Sequence, residues 1–261
     1  MFGIGNNILM KASAGISWKL DTDVVVGLPD IGGQSMPITW YDGSNLYLLS
    51  GEDTAIWNGY IWNGSSWANS TAAKSGLAAS ASYMYGSIFE DIGSYYLIHS
   101  NYLGAVFSYK WGGSSWSTTG AWSTTGLPTT EDFSCPTLFW LNSVLYAIIG
   151  NQQGTFVYYK WGGSSWVVDT AIAVGLPSDI GGYARPRVFY IDSDLYLIIG
   201  EQSSVWNGFK WGGSSWVSDT DILLEIGNGV GFGSVEVFDD GGFKRLISGS
   251  SDGTFTGYTR E

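Results

Sequence analysis

The chain has 261 residues but only one cysteine, Cys135, and one histidine, His99. A lone thiol excludes an internal disulfide, and the thiolate and imidazole clusters of a zinc or copper site are excluded with it, so no cofactor is expected. Charge is scarce as well, 13% of residues where about 25% is ordinary. Eleven Lys and Arg against twenty-three Asp and Glu leave a net charge of −12, a balance that repels a phosphate backbone and excludes nucleic acid as a partner. No apolar run approaches the roughly 18 residues of a membrane-spanning helix. The start carries Asn6, Asn7 and Lys11 where a signal peptide needs an unbroken apolar segment. The sequence therefore reads as uncleaved and not inserted in a membrane, with a virion or extracellular surface and the cytoplasm both open as locations.

What the chain does have is glycine, 38 residues, and aromatic rings, 16%. It also repeats itself. KWGGSSW occurs at 110–116, 160–166 and 210–216, and IWNGSSW fills 61–67. The closing tryptophans Trp67, Trp116, Trp166 and Trp216, with Trp18 as a fifth, stand 49, 49, 50 and 50 residues apart. A unit runs through a polar stretch, with Gly-Leu-Pro at 27–29, 126–128 and 175–177, a short aromatic run, a turn, an apolar run, a loop and the Trp-Gly-Gly-Ser or Trp-Asn-Gly-Ser turn. Four short strands at this period define a propeller blade, because no stretch shows helical periodicity and Gly, Asn, Asp and Ser punctuate every run.

The expected architecture is all-β: a five-bladed β-propeller of four-stranded antiparallel blades, with repeats at about 19–67, 68–116, 117–166, 167–216 and 217–261 plus 15–18. The last blade is closed by the N- and C-terminal strands, which leaves no open sheet edge there. Residues 1–14 fall outside the repeat as an arm. With Asn63-Gly64 as a two-residue turn, Tyr60 faces Trp67 across the hairpin, each blade carries a Tyr–Trp pair, and Tyr258 packs opposite Trp18.

The aromatic-to-tryptophan spacing, Tyr60 to Trp67, Tyr109 to Trp116, Tyr159 to Trp166 and Phe209 to Trp216, follows an apolar run ending in glycine and resembles the kelch repeat of β-propellers. It departs from kelch in keeping one glycine (Gly51, Gly150, Gly200) where that repeat has two, and none at His99-Ser100. Five short blades in an aromatic-rich chain also resemble tachylectin-type lectins, a resemblance that implies amino-sugar pockets repeated around the ring.

Longer loops gather at one end of the ring, where function tends to concentrate. The candidate ligand-binding residues there are Glu52, Trp57 and Asn58 in the first blade, Asn101 and Asn151 in the next two, and Glu201, Trp206 and Asn207 in the fourth. A ring beside a carboxylate and an amide suits a sugar; the alternative is packing between blades and capping of loop backbone. His99 and Cys135 read as structural, the closing tryptophans as packing, Asp21-Thr22-Asp23 and Asp219-Thr220-Asp221 as turn carboxylates, and Arg185 and Arg187 as a pair absent from the sister blades. The expected function is non-enzymatic, multivalent, lectin-like binding of a glycan or glycosylated surface, strengthened by avidity. One alternative is an attachment component of a virus, phage or other assembly docked through residues 1–14. The other is a glycoside hydrolase, which needs two carboxyl groups in unlike environments and so breaks the repeat symmetry; Glu131-Asp132 and Glu90-Asp91 are acids that recur nowhere in register.

Overall fold

The computed structural model describes residues 16–78, 83–128, 134–203, 205–227, 231 and 233–260. The proposed arm 1–14 and the acids Glu131 and Asp132 lie outside them. The first strand, β1 (Trp18–Leu20), belongs to the last blade. Blade one is β2 (Met36–Tyr41), β3 (Leu46–Gly51), β4 (Trp57–Trp62) and β5 (Trp67–Asn69); blade two is β6 (Tyr85–Asp91), β7 (Ser94–Ser100), β8 (Val106–Trp111) and β9 (Trp116–Thr118). Blade three is β10 (Cys135–Leu141), β11 (Val144–Gly150), β12 (Phe156–Trp161) and β13 (Trp166–Val168). Blade four is β14 (Arg185–Ile191), β15 (Asp194–Gly200), β16 (Trp206–Trp211) and β17 (Trp216–Ser218). Blade five is β18 (Ser234–Asp240), β19 (Phe243–Gly249) and β20 (Phe255–Arg260), completed by β1. Every pairing is antiparallel, and the inner strands β2, β6, β10, β14 and β18 neighbour one another in cyclic order. This is the expected ring of five four-stranded blades, with the last closed by both ends of the described chain. No helix among the described residues is long and apolar enough to cross a membrane.

The tryptophan hairpin differs from expectation by one position. Trp62 faces Trp67 and Tyr60 faces Asn69, so the turn is centred on Gly64-Ser65, and the rings that meet across it are two indoles with centroids 5.2 Å apart. A turn with positive φ only at its first central residue accounts for this. Gly64, Gly113, Gly163 and Gly213 have φ between 89° and 96°, while Asn63 stays outside the turn and its Oδ1 accepts from the backbone N–H groups of Ser65 and Ser66. At the closure Trp18 faces Arg260, and Tyr258 faces Leu20. Trp18 and Tyr258 still share one buried cluster, since residues two apart on a strand point to the same face.

Each closing tryptophan ties its blade to the segment arriving from the blade before. The indole N–H of Trp18, Trp67, Trp116, Trp166 and Trp216 donates to the carbonyls of Ile222, Val24, Ala73, Ser123 and Ile172 at 2.8–3.0 Å. Their backbone N–H groups donate to Leu224, Val26, Ser75, Thr125 and Val174. The glycine of Gly-Leu-Pro, and of Gly76-Leu77-Ala78 in blade two, follows from this grip. Gly27, Gly76, Gly126 and Gly175 have φ of 83–93°, and a Cβ on any of them would stand 1.9–2.2 Å from a closing tryptophan's carbonyl oxygen. In the fifth copy Glu225 takes this place with φ 66°.

Candidate functional site

The loop-end residues divide into two classes. In blades two, three and five the residue opening the loop folds the loop on itself: Asn101 Oδ1 accepts from Leu103 and Ala105, Asn151 Oδ1 from Thr155, and the Ser250 hydroxyl bonds Asp252 and Thr254. Each of these loops turns on a glycine whose N–H returns to the opening carbonyl, Gly104, Gly154 or Gly253. Blade one has Ala55 at that position. Its Glu52 is buried and takes one hydrogen bond, from Asn58 Nδ2 at 3.3 Å. Together Glu52 and Asn58 line a groove of about 330 Å³ with Gly27, Pro29, Asp30, Ile31, Tyr60 and Asn69. Glu201 and Asn207 take the corresponding places in blade four, where Glu201 Oε2 lies beside Gly181. Trp57 and Trp206 are absent from the groove lining and pack inside the ring: Trp57 sets its edge against His99 at 5.2 Å, and Trp206 donates from Nε1 to Gly227 O at 3.1 Å. The structure thus brings Glu52 and Asn58 together and turns the two indoles away from them.

A larger recess lies at the other end of the ring, where the inner strands turn into the second strands. The mouth of the central channel opens there into about 740 Å³, walled by Trp40, Tyr41, Ile88, Tyr95, Phe189 and Tyr190, with Glu90, Arg187, Glu236, Asp239 and Lys244 as its charges. Toward the long-loop end the channel narrows to a cavity of about 40 Å³ among Met36, Tyr85, Cys135, Arg185 and Ser234. Arg185 closes it by donating to Gln34 Oε1 and the Tyr85 hydroxyl. Burial holds the Cys135 thiol up at about 12, so a thiolate nucleophile is not available there.

The third residue of each inner strand differs in every blade: Ile38, Ser87, Thr137, Arg187 and Glu236. Inner strands are sheet edges, and their free N–H groups need acceptors. Ser87 Oγ accepts from Leu138 N at 3.0 Å, and Thr137 Oγ1 accepts from Val188 N at 3.1 Å, each across to the next blade. Glu236 closes the circle, with Oε1 accepting from Thr39 N at 2.9 Å and from Thr39 Oγ1 at 2.8 Å. Its Oε2 meets the Arg187 guanidinium. Burial pushes the Glu236 carboxyl above the ordinary carboxylate range, against the pull of Arg187 and the Thr39 donors. On the rim Asp239 is held by Lys244 at 2.7 Å, whereas Glu90 is exposed and receives the Tyr95 hydroxyl at 3.5 Å. No cluster of metal-ligating His, Cys, Asp and Glu side chains is present among the described residues.

No family model matches the chain, and no curated protein matches it. Solved structures do share its fold. A family GH43 β-xylosidase/α-arabinofuranosidase from a compost microbial metagenome, in complex with xylotriose, superposes with a TM-score of 0.61 at 10% identity, over 93% of this chain and 94% of that one. The GH43_1 enzyme from Xanthomonas citri, complexed with xylotriose, gives 0.60 at 9% identity, over 92% and 90%. The catalytic domain of a GH62 α-L-arabinofuranosidase from Coprinopsis cinerea gives 0.57 at 12% identity, over 94% and 97%. These likenesses establish the five-bladed ring and do not extend to kelch or tachylectin propellers in particular. They also correct the expectation of a non-enzymatic chain. That expectation rested on finding no repeated acid pair in the loops, yet rings of this architecture house hydrolases, and here the unrepeated charges sit in the channel, which sequence reasoning passed over.

Proposed function

We propose that the protein acts on glycans as a glycoside hydrolase, with the mouth of the central channel as its active site. The observation that carries this reading is Glu236, a carboxyl buried at the floor of an aromatic recess whose rim bears a second, exposed carboxylate, Glu90. Cleavage of a glycosidic bond takes one carboxylic acid to protonate the leaving oxygen and one carboxylate to activate water or attack the anomeric carbon. Burial biases Glu236 toward its protonated form, which suits the acid. Asp239 is neutralised by Lys244, which leaves Glu90 for the second role. The Tyr41, Tyr95 and Tyr190 rings offer faces for the C–H side of a sugar and hydroxyls for its polar edge. A recess of this size falls within the roughly 300–1,000 Å³ of small-ligand sites.

Two of the structures named above are a β-xylosidase/α-arabinofuranosidase and an α-L-arabinofuranosidase, and two are in complex with xylotriose, so pentose oligosaccharides and aryl pentosides are the first to test. Release of reducing sugar or aryl alcohol by the purified protein is expected, with Glu236→Gln lowering kcat at least about 100-fold. Glu90→Gln should also lower kcat. Equal turnover by parent and Glu236→Gln, or no release from a broad glycoside panel, overturns the reading.

A further inference from the structure

We propose that the groove of blade one is a second binding site, for a hydroxylated ligand that carries a protonated primary amine. It lies toward the long-loop end, away from the channel mouth, and does not rest on the hydrolase reading. Three observations carry it. Glu52 is buried, with only 6% of its surface exposed. Among the described residues its one hydrogen bond is the one Asn58 donates to Oε1, which leaves Oε2 without a donor, and Glu52 lines the groove. No Lys or Arg lines the groove, although Asp30 adds a second carboxyl group. The sister loops use the same position to cap themselves with Asn or Ser, so the carboxylate in blade one has been released from that task.

A buried carboxylate needs a positive partner, and the candidates differ in what they require. Calcium takes six to eight oxygen ligands, and the described residues hold no group of three acidic, His or Cys side chains that could hold a metal. An ammonium needs only about three acceptors. Glu52 and Tyr60 both line the groove; burial, followed by the charge of Glu52, raises the Tyr60 phenol and keeps it protonated. The amides of Asn58 and Asn69 each add an NH2 donor group and a carbonyl acceptor, which match neighbouring hydroxyl groups. An amino sugar with its amine free presents that combination, whereas its acetylated form has lost the charge.

Titration calorimetry of the full chain with glucosamine, N-acetylglucosamine and glucose, at a pH where the free amine is protonated, tests the site. Glucosamine is expected to bind at least ten-fold more tightly than the other two. Glu52→Gln should weaken it at least ten-fold and Asp30→Asn at least three-fold; the second variant keeps the acceptor that receives the Gly32 N–H, so it serves if the first fails to fold. Equal affinity for the three sugars, no detectable binding of glucosamine, or affinity untouched by both substitutions overturns the proposal.

Discussion

The outer and inner strands of the five blades differ in how much they repeat. At the periphery one device recurs five times: a buried tryptophan donates its indole and backbone N–H groups to the incoming segment, and a left-handed residue passes under its carbonyl. At the channel the corresponding positions hold Ile38, Ser87, Thr137, Arg187 and Glu236, and no two blades agree. Blade-to-blade cohesion poses the same packing problem five times and accepts one solution. A single site at the centre needs different groups on different sides, so the symmetry that holds the ring together is abandoned where chemistry would occur.

Substitutions that break the peripheral device should have the largest effects. Trp116→Ala removes a fully packed ring and its indole bond to the Ala73 carbonyl, and should cost about 3–5 kcal/mol in denaturant unfolding; a loss under about 1 kcal/mol would mean that the indole's grip on Ala73 is incidental. Next comes His99, wholly buried between Phe107, Tyr109 and the edge of Trp57, with neither ring nitrogen hydrogen-bonded among the described residues. Burial lowers its pKa to about 4 from an ordinary 6.5. The folded form then binds fewer protons than the unfolded one between these values. Stability is complete above pH 6.5 and falls as pH drops toward 4, by up to about 1.4 kcal/mol per pH unit. The difference between the parent and His99→Leu, measured by unfolding at several pH values, isolates that slope; parallel curves would contradict it.

The glycine rule gives a smaller, signed pair. Gly76→Ala forces a side chain into the carbonyl of Trp116 at positive φ and should cost about 1–3 kcal/mol. Glu225→Gly relieves the one non-glycine in the fivefold position and should raise stability by about 1 kcal/mol. A neutral result for both would show that the crossover adapts freely.

Most of the fold was legible because its determinants are local. Trp-Gly-Gly-Ser recurs at a fixed period, so blade number, strand count and closure of the fifth blade could be counted along the chain. The hairpin register was not, because two adjacent small residues leave open which one takes positive φ, and only the backbone of Gly64 and its sisters decides. In the loops, Glu52 and Asn58 were legible as a pair, since six residues separate them. Their neighbours Trp57 and Trp206 were misleading because strand alternation turns them into the ring. The channel was illegible for a different reason: Thr39, Arg187 and Glu236 are brought together from strands about 50 to 200 residues apart, and no motif marks them. The one available signal was a charge in an apolar strand, Glu236 between Val235 and Val237, matched by an arginine, Arg187, that the sister blades lack.

The most direct test of the channel as the site of glycan chemistry is a crystal structure of Glu236→Gln soaked with a xylo-oligosaccharide, the substitution slowing turnover while keeping the hydrogen-bond acceptor. A sugar ring bound in the channel mouth, within hydrogen-bonding distance of residue 236 and against Tyr95 or Tyr190, is the predicted result. An empty mouth, with sugar bound elsewhere on the ring, would contradict it.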